Sequence, residues 1–272
     1  MVNKKTALLG VVLVLICLAA MTSCQPKTES GGMTLKKGVL MIGMEIGYPP
    51  MEYYDQDGKT PIGFDVEMAK AIGDKLGLKV EYIDTAWDGI FASLDTDKYD
   101  CIMSAVTYTG ERAAKYNFST PYAVNAQYLI VRKDLPVKPK SLEEIQSLRL
   151  TFQGETTSDE LYQGWSNKTG IKLEIYPYDK VMNCFDDLSL NRVDVILVDS
   201  VVASEYLSRP NNPFEISALV SDDEVLAICI KKGNDELTKA IDKALDELYA
   251  DGTLVKISQK IFGTDVVSPV RK

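Results

Sequence analysis

Short apolar runs alternate with amphipathic segments along most of the chain from Gly38 onward. The predicted strands, rich in Val, Ile, Leu and Tyr, cover residues 38–45, 78–84, 99–106, 127–132, 149–153, 172–177, 193–198 and 224–231. Between them, apolar residues recur at helical spacing, most clearly over residues 64–77 and 235–249. Nearly continuous apolar strands that alternate with helices are typical of parallel sheets with helices on both faces. The pattern therefore predicts an α/β fold.

Two extended segments, at residues 127–132 and 224–231, interrupt this alternation. No helical pattern separates either of them from the strand before it. The chain between the two segments has strands and helices of its own. A block that the chain enters once and leaves once is typical of an inserted lobe on a hinge of two strands. We therefore expect lobe 1 at residues 33–127 with 228–264, lobe 2 at 133–223, the hinge at 128–132 and 224–227, and a C-terminal tail at 265–272.

The first 23 residues have the pattern of a secretory signal peptide. Two lysines precede an uncharged apolar run over residues 7–21, which is shorter than the roughly 20 residues that a membrane-spanning helix needs. The small residues that end the run come directly before Cys24, as in the lipobox of bacterial lipoproteins, where the cysteine is acylated after cleavage. We expect residues 1–23 to be removed, Cys24 to be lipidated and residues 24–32 to form a flexible tether. The alternative is an ordinary signal peptide followed by a cysteine of no special role.

Composition narrows the possible chemistry. The chain has 272 residues with no histidine, five cysteines and a formal net charge of −9. The lack of histidine excludes Ser-His-Asp and Cys-His catalysis and histidine-ligated metal sites, and the acidic balance argues against nucleic acid as a partner. Cys17 lies in the predicted signal peptide and Cys24 is the predicted lipid site, so three cysteines remain and no disulfide framework is implied. Cys101 and Cys229 lie in apolar strand patterns, which predicts small buried side chains. We expect no metal and no cofactor.

Chemistry-bearing residues follow the predicted strands, at the edge where an open parallel sheet binds its ligands. Arg112 follows the strand at 99–106 and offers a planar fork to a carboxylate. Asp199 follows the strand at 193–198 and can accept from an ammonium group. Gly154 opens a predicted helix whose free N–H groups would add donors for an anion. The other residues at this edge are the aromatic Tyr48 and Trp87 and the hydroxyl-bearing Thr107, Thr109, Thr156 and Thr157. The set matches a free amino acid, which carries opposite charges on its two α-substituents.

Each of these residues also has an ordinary structural alternative. Arg112, near a helix start, could form a surface ion pair, and Thr156 and Asp199 could each cap a helix. Trp87 could belong to the core, with Asp88 as the cap of the helix that follows. Their shared position at the ends of strands is what favours one common site.

Residues 63–122, from GFDVEMAKAIGDKLGL to KYNFSTPY, resemble the family-3 extracellular solute-binding proteins of bacterial polar-amino-acid ABC importers. The resemblance extends from about Gly38 to Phe262 and includes QGETTSDEL and VDVILVDSVVASEYL. It implies a two-lobed fold of the type II periplasmic binding proteins, with a mainly parallel sheet flanked by helices in each lobe. It also implies that Arg112 binds the α-carboxylate with help from Thr156, and that Asp199 binds the α-amino group. The ligand-binding residues that we expect are Glu45, Tyr48, Trp87, Ser104, Thr107, Arg112, Thr156 and Asp199.

The resemblance says less about the ligand's side chain. Tyr48 and Trp87 match positions that flank the ligand, and Glu45 matches an acidic position that often approaches its side chain, which favours a cationic amino acid. The alternative is that Glu45 points away from the ligand or bonds the backbone. Ala105 stands where a hydroxyl is common, and Gly110 replaces the proline of a T-P-E-R segment. The first of these departures leaves side-chain specificity open.

The function that the resemblance implies is transport rather than catalysis. An extracytoplasmic lipoprotein of this kind captures a polar amino acid as its lobes close, and delivers it to a membrane permease with its ATPase. We expect a monomer that is held at the membrane by the lipid on Cys24. Two alternatives stay open: a dehydratase of the same fold that acts on prephenate or arogenate, and a sensor or adhesin lipoprotein with no role in transport.

Overall fold

The computed structural model of the protein describes residues 32–271. The strands are β1 (Val39–Met44), β2 (Tyr53–Tyr54), β3 (Pro61–Ile62), β4 (Lys79–Asp84), β5 (Cys101–Ile102), β6 (Asn117–Phe118), β7 (Ala123–Arg132), β8 (Arg149–Gln153), β9 (Glu174–Tyr178), β10 (Val195–Asp199), β11 (Phe214–Leu226) and β12 (Cys229–Ile230). The α-helices are α1 (Phe64–Leu76), α2 (Trp87–Asp95), α3 (Gly110–Lys115), α4 (Thr157–Thr169), α5 (Val181–Ser189), α6 (Ser200–Ser208), α7 (Asp235–Ala250) and α8 (Thr253–Phe262). Short 3-10 helices lie at Leu142–Ile145 and Ser268–Arg271.

Two five-stranded sheets form the centres of two lobes. The first has the order β4-β1-β5-β12-β6 and the second the order β11-β7-β10-β8-β9. In each, three neighbouring strands run parallel, β4-β1-β5 in the first and β10-β8-β9 in the second. The predicted two-lobed α/β fold is therefore confirmed.

The remaining strand pairs are antiparallel, so the sheets are mixed and contain fewer parallel pairs than expected. In the first sheet β12 runs antiparallel to both β5 and β6, and in the second β7 runs antiparallel to both β10 and β11. A strand that is buried on both faces is apolar throughout whichever way its neighbours run. The apolar runs alone consequently do not distinguish the two directions.

The long strands β7 and β11 pair along their whole length, from Arg132 opposite Phe214 to Ala123 opposite Leu226. At the Ala123 end the chain joins the first lobe, since the N–H of Tyr122 also donates to the carbonyl of Leu226. One of the two expected hinge segments is residues 128–132, and all of it except Arg132 pairs with β10. The boundaries of the lobes and of the hinge stay a prediction.

The strand expected at 224–231 is divided between β11 and β12, and β11 begins ten residues earlier, at Phe214. This first part of β11 has register shifts at Ile216/Ala218, Leu219/Ser221 and Ser221/Glu224. Each shift breaks the strict alternation of apolar and polar side chains that identifies a strand in a sequence. The irregularity explains why this part of the strand was missed.

Most of the core lies between the helices and the sheets, and the remaining cysteines belong to it. Cys101, Cys184 and Cys229 are buried and free, which confirms the interpretation of Cys101 and Cys229 as small buried side chains. The expected C-terminal tail also packs against the protein: Val267 is fully buried, and the N–H of Val124 in β7 donates to the carbonyl of Val266.

The predicted signal peptide at 1–23 and the predicted lipid site Cys24 lie outside the described residues. Within residues 32–271, none of the helices combines the length and the apolar character that crossing a membrane requires.

Candidate functional site

One cavity of about 290 Å³ lies between the two lobes, where the strands of the first sheet and the start of α4 face each other. All eight residues expected to bind ligand line it, together with Ala105, Gln153 and Thr157. The fold brings them together because each follows a strand or begins a helix at the same edge of its sheet. Their roles in binding stay a prediction.

Asp199 is the acidic group of one wall, at the end of β10. Its Oδ2 accepts a hydrogen bond of 2.7 Å from the hydroxyl of Tyr48, and its Oδ1 accepts one of 2.6 Å from Nε2 of Gln127. The carboxylate does not cap α6, although Asp199 is the N-cap residue of that helix. Burial raises the pKa of Asp199, and these two hydrogen bonds oppose that rise. A buried carboxylate whose bonded partners are neutral is suited to receive a cation.

Arg112 is the cationic group of the cavity. Its guanidinium lies 5.7 Å from the ring centre of Trp87 and 5.4 Å from that of Phe91. Nη1 donates to the carbonyl of Thr107 at 3.2 Å, and Nη2 donates to Oε1 of Glu160 at 3.0 Å. The ion-pair alternative is thus realised, but the side chain of Arg112 is only 10% exposed. Because guanidinium has five N–H groups in a plane, it retains donors for a further carboxylate.

The helix start that faces Arg112 is that of α4. Thr156 occupies its N-cap position, but its side chain makes no capping bond and instead donates to the carbonyl of Gln153 at 2.7 Å. The first N–H groups of a helix have no partner within the helix, and the positive end of the helix dipole attracts an anion. The N-terminus of α4 therefore complements Arg112 as a second set of anion donors.

Trp87 crosses the cleft rather than serving only as a core residue. Its Nε1 donates to the carbonyl of Glu155, on the loop that precedes α4, at 3.0 Å. Three other bonds join the same two walls: Tyr48 to Asp199, Arg112 to Glu160, and Gln153 to Glu45. The lobes are therefore in contact around the cavity.

Glu45 and Gln153 form the second acidic region of the cavity. Nε2 of Gln153 donates to Oε2 of Glu45 at 2.8 Å, so the Glu45 side chain points into the cavity rather than away from it. Burial raises the pKa of Glu45 to about 7, and the bond from Gln153 opposes the rise. Oε1 of Gln153 is buried and has no partner among the described residues. This region therefore offers a ligand two acceptors, the carboxylate of Glu45 and Oε1 of Gln153.

Behind the cavity wall, two carboxyl groups hold the segment after β5. Glu52 accepts from the hydroxyl of Ser104 at 2.6 Å, and Asp65 accepts from the N–H of Ala105 at 2.8 Å. Ala105 has a φ of 47°, in the left-handed region. The wall at Ser104 and Ala105 is thus fixed from behind, and the hydroxyl of Ser104 is turned toward Glu52.

Sequence reasoning missed Gln127, Gln153 and Glu224, which bind the expected residues to one another. Gln127 and Gln153 occur inside or at the end of apolar strands, where a single amide is an ordinary feature. Glu224 is the first residue of the predicted strand at 224–231, and a search of the residues that follow strands does not include it. The search of residues that follow predicted strands selected Gly154 and Asp199. It did not reach Gln153, because the predicted strand at 149–153 includes that residue.

Comparisons with known proteins agree with this geometry. The sequence profile of the bacterial extracellular solute-binding proteins, family 3, matches residues 40–264. The L-cystine-binding protein TcyJ of Escherichia coli K12 is 31% identical over 264 residues, which cover 96% of this chain and 97% of TcyJ. An ancestral arginine-binding protein bound to arginine superposes with a TM-score of 0.77 at 35% identity, covering 83% of this chain and 99% of that one. The ancestral amino acid-binding protein AncCDT-1, a precursor of cyclohexadienyl dehydratase, superposes with a TM-score of 0.74 at 32% identity, covering 83% and 96% of the two chains.

Proposed function

This chain belongs to the bacterial extracellular solute-binding proteins of family 3, and we propose that it captures a free amino acid between its two lobes and delivers it to an ABC permease. The observation that carries the proposal is one cavity between the lobes whose walls carry both the guanidinium of Arg112 and the carboxylate of Asp199. An amino acid places its α-carboxylate at Arg112 and its α-ammonium group at Asp199.

The two lobes share the ligand's α-carboxylate in this proposal. Arg112 belongs to the first lobe, and the N-terminus of α4 with Thr156 belongs to the second. Only the closed arrangement presents both sets of donors at once, so the ligand binds the closed form more tightly and shifts the population toward it. A permease that recognises the closed form then receives loaded protein.

We propose that the ligand carries a second nitrogen cation at the end of its side chain. The support is the acceptor pair of Glu45 and the unpartnered Oε1 of Gln153. L-cystine and arginine, the molecules in the names of two relatives, both have such a group: an ammonium at the far end of cystine and a guanidinium in arginine. A cation at this position would satisfy both acceptors and favour the ionised form of Glu45.

Attachment to the membrane is the remaining part of the proposal. Acylation of Cys24 would hold the protein at the extracytoplasmic face of a membrane, next to its permease and ATPase, as a monomer. The support is the signal-like segment that ends at Cys24. Buried acyl chains contribute about 0.8 kcal/mol for each methylene, so more than one chain gives a stable anchor. Mass spectrometry of the purified membrane-bound protein tests this directly, and an unmodified Cys24 in the mature protein would contradict it.

A binding role rather than an enzymatic one is supported by the relatives, since TcyJ, the arginine-binding protein and AncCDT-1 are each named as binding proteins. The dehydratase alternative makes a different prediction, namely that the protein releases an aromatic product from prephenate or arogenate. We expect no such product.

The experiment that tests the proposed function is a thermal-shift screen. The chain from residue 25 onward is unfolded and refolded to remove carried ligand, and is then heated with each of the twenty amino acids and with L-cystine. We expect stabilisation by at least one amino acid with a cationic side chain or by L-cystine. Stabilisation by neutral amino acids alone would contradict the assignment of Glu45, and stabilisation by none would contradict the proposed function.

A further inference from the structure

Glu224 lies on β11 behind the cavity, and it gathers side chains from both lobes. Its carboxylate accepts from Nδ2 of Asn125 at 2.8 Å and from Nε2 of Gln127 at 3.1 Å, both on β7. The hydroxyl of Thr107, after β5 in the first lobe, donates to it at 3.2 Å. The hydroxyl of Thr157, at the start of α4 in the second lobe, is 3.4 Å away. One carboxylate thus contacts the strand that joins the lobes and one cavity-lining residue from each lobe.

The same carboxylate is linked to Asp199 through a single amide. Nε2 of Gln127 lies 2.6 Å from Oδ1 of Asp199 and 3.1 Å from Oε2 of Glu224, so its two N–H groups can serve both. The hydroxyl of Ser158 donates to Oε1 of Gln127 at 2.7 Å and fixes the orientation of the amide. The side chains that bond the two carboxylates are neutral, and burial raises the pKa of both. Two buried acids with neutral partners form a region of negative potential that favours an incoming cation.

The contact with Glu224 also sets which way two cavity hydroxyls face. A threonine hydroxyl has one proton and two lone pairs. When Thr107 and Thr157 direct their protons to Glu224, the lone pairs of Thr107 are left for other donors in the cavity. Thr157 accepts from Nε2 of Gln127 at 3.2 Å with one lone pair and keeps the other. The α-ammonium group of the ligand is such a donor. Glu224 therefore turns two neutral hydroxyls, one in each lobe, into acceptors for the same cation.

We infer that Glu224 is a positioning residue that couples binding of the ligand's ammonium group to closure of the lobes. This inference rests on the proposed function. Glu224 acts through Thr107, Thr157 and Gln127, since it does not itself line the cavity. Because its partners come from both lobes, the full set of contacts exists only when the lobes are together. Loss of the carboxylate therefore shortens the lifetime of the closed complex, whereas the first encounter of ligand with the open form is unaffected.

The test is the kinetics of Glu224→Gln, measured by stopped-flow tryptophan fluorescence with L-arginine and L-cystine as probes. The indole of Trp87 lies in the cavity wall and reports on closure. We expect the dissociation rate to rise about 10- to 100-fold, the range for loss of hydrogen bonds to a charged group, while the association rate stays within about threefold of the wild type. The matched control is Asp222→Asn, which removes the same charge from an exposed position on the same strand and should leave both rates unchanged.

A double-variant cycle separates positioning from a general loss of structure. Thr107→Val removes one hydroxyl. When this substitution is added to Glu224→Gln, we expect the dissociation rate to change by less than about threefold, because the two side chains act together. If Glu224→Gln fails to fold, Thr107→Val, Thr157→Val and their double variant carry the same test. If the two substitutions of a double variant change the dissociation rate non-additively, the inference is supported. Additive changes overturn it.

Two failures are distinguishable. A wild-type protein that binds neither probe and none of the other amino acids refutes the proposed function and the inference with it. A wild-type protein that binds, together with a folded Glu224→Gln variant that keeps the wild-type dissociation rate, refutes only the role of Glu224. A lower melting temperature of the ligand-free variant with both rates unchanged would likewise show a purely structural role.

Discussion

The hydroxyl of Tyr48 donates a hydrogen bond of 2.7 Å to the carboxylate of Asp199, which lies on the opposite lobe and 151 positions further along the chain. Tyr48 is buried, and burial next to the charge of Asp199 raises the pKa of its hydroxyl well above the usual range. The tyrosine therefore remains a neutral donor at every physiological pH. Its bond fixes one oxygen of Asp199 and stabilises the ionised form, to which the proposed function assigns the ligand's ammonium group.

Tyr48→Phe removes that donor and leaves the ring. We expect ligand affinity to fall by about tenfold or more, since a hydrogen bond to a charged group contributes about 1.5–3 kcal/mol. Isothermal titration calorimetry measures the change. Tyr54→Phe is the matched control, because Tyr54 also donates to a carboxylate, that of Asp84, but at an exposed position. Equal affinities of Tyr48→Phe and Tyr54→Phe would contradict the role given to Tyr48.

Arg112→Ala should weaken binding far more. Removal of one partner of a buried ion pair costs about 3–5 kcal/mol, which corresponds to roughly 10²- to 10³-fold or more in affinity. Arg112→Lys keeps the charge but loses the planar fork, so we expect a smaller but measurable loss. Arg192→Lys, at an exposed ion pair with Asp187, is the control and should bind normally. An Arg112→Ala variant with wild-type affinity would exclude Arg112 as the carboxylate site.

Affinity for a cationic ligand should depend on pH through Glu45. Its pKa is raised to about 7 by burial, so the carboxyl is largely protonated at pH 5.5 and largely ionised at pH 8. The ionised form attracts a cation, and affinity therefore rises with pH across this range. Glu45→Gln, which is neutral at every pH, should lose this part of the dependence. Calorimetry at several pH values tests the difference between the two proteins, and parallel pH profiles would show that Glu45 does not face the ligand.

Stability should depend on pH in the opposite sense, through Glu52. Glu52 and Asp65 are buried side by side, and burial raises both pKa values, that of Asp65 to about 7 and that of Glu52 well above its usual range. The folded protein then keeps a proton that the unfolded chain releases above the ordinary pKa of the carboxyl groups. The free energy of unfolding therefore falls as pH rises from about 5 to 8, by at most about 1.4 kcal/mol per pH unit for each such proton.

The variant that isolates this effect is Glu52→Gln. Its amide keeps a donor toward Asp65 and an acceptor for the hydroxyl of Ser104, so we expect it to fold and to show a flatter dependence of stability on pH. Urea unfolding of the ligand-free proteins at pH 6 and pH 8 measures the slopes. If Glu52→Gln loses as much stability as the wild type between these pH values, the pair does not hold the proton.

Six of the eight candidate residues follow predicted strands, and position relative to a strand end is a property of the chain alone. Glu45 and Ser104 lie inside predicted strands, so this rule did not select them. Asp199 follows VDVILV and Arg112 follows YDCIMSAV, and parallel strands bring such ends to one edge. The residues that connect them were not found. Gln127 and Glu224 meet only because β7 and β11 pair over their full length, a long-range register that no local pattern records. The same holds for Glu52 and Asp65, whose burial depends on how the segment after β5 packs over them.

The conformation of Ala105 illustrates a second limit. The apolar run YDCIMSAV predicts a strand over 99–106, but regular pairing within that run ends after Ile102. Ala105 takes a positive φ, which is uncommon outside glycine, and its N–H is held by the buried carboxylate of Asp65. A tertiary contact therefore overrides the local preference for a strand, at the point where the chain borders the cavity.

The most direct test of the central claim is a calorimetric titration of the refolded, ligand-free protein and of Asp199→Asn with each amino acid that stabilises the wild type. If one cavity binds the amino acid through Arg112 and Asp199, the wild type binds with a stoichiometry of one and with micromolar affinity or better. Asp199→Asn, which keeps the shape of the side chain and loses its charge, then binds at least about 100-fold more weakly. Wild-type affinity in Asp199→Asn would contradict the account, because the ammonium group would then be bound elsewhere.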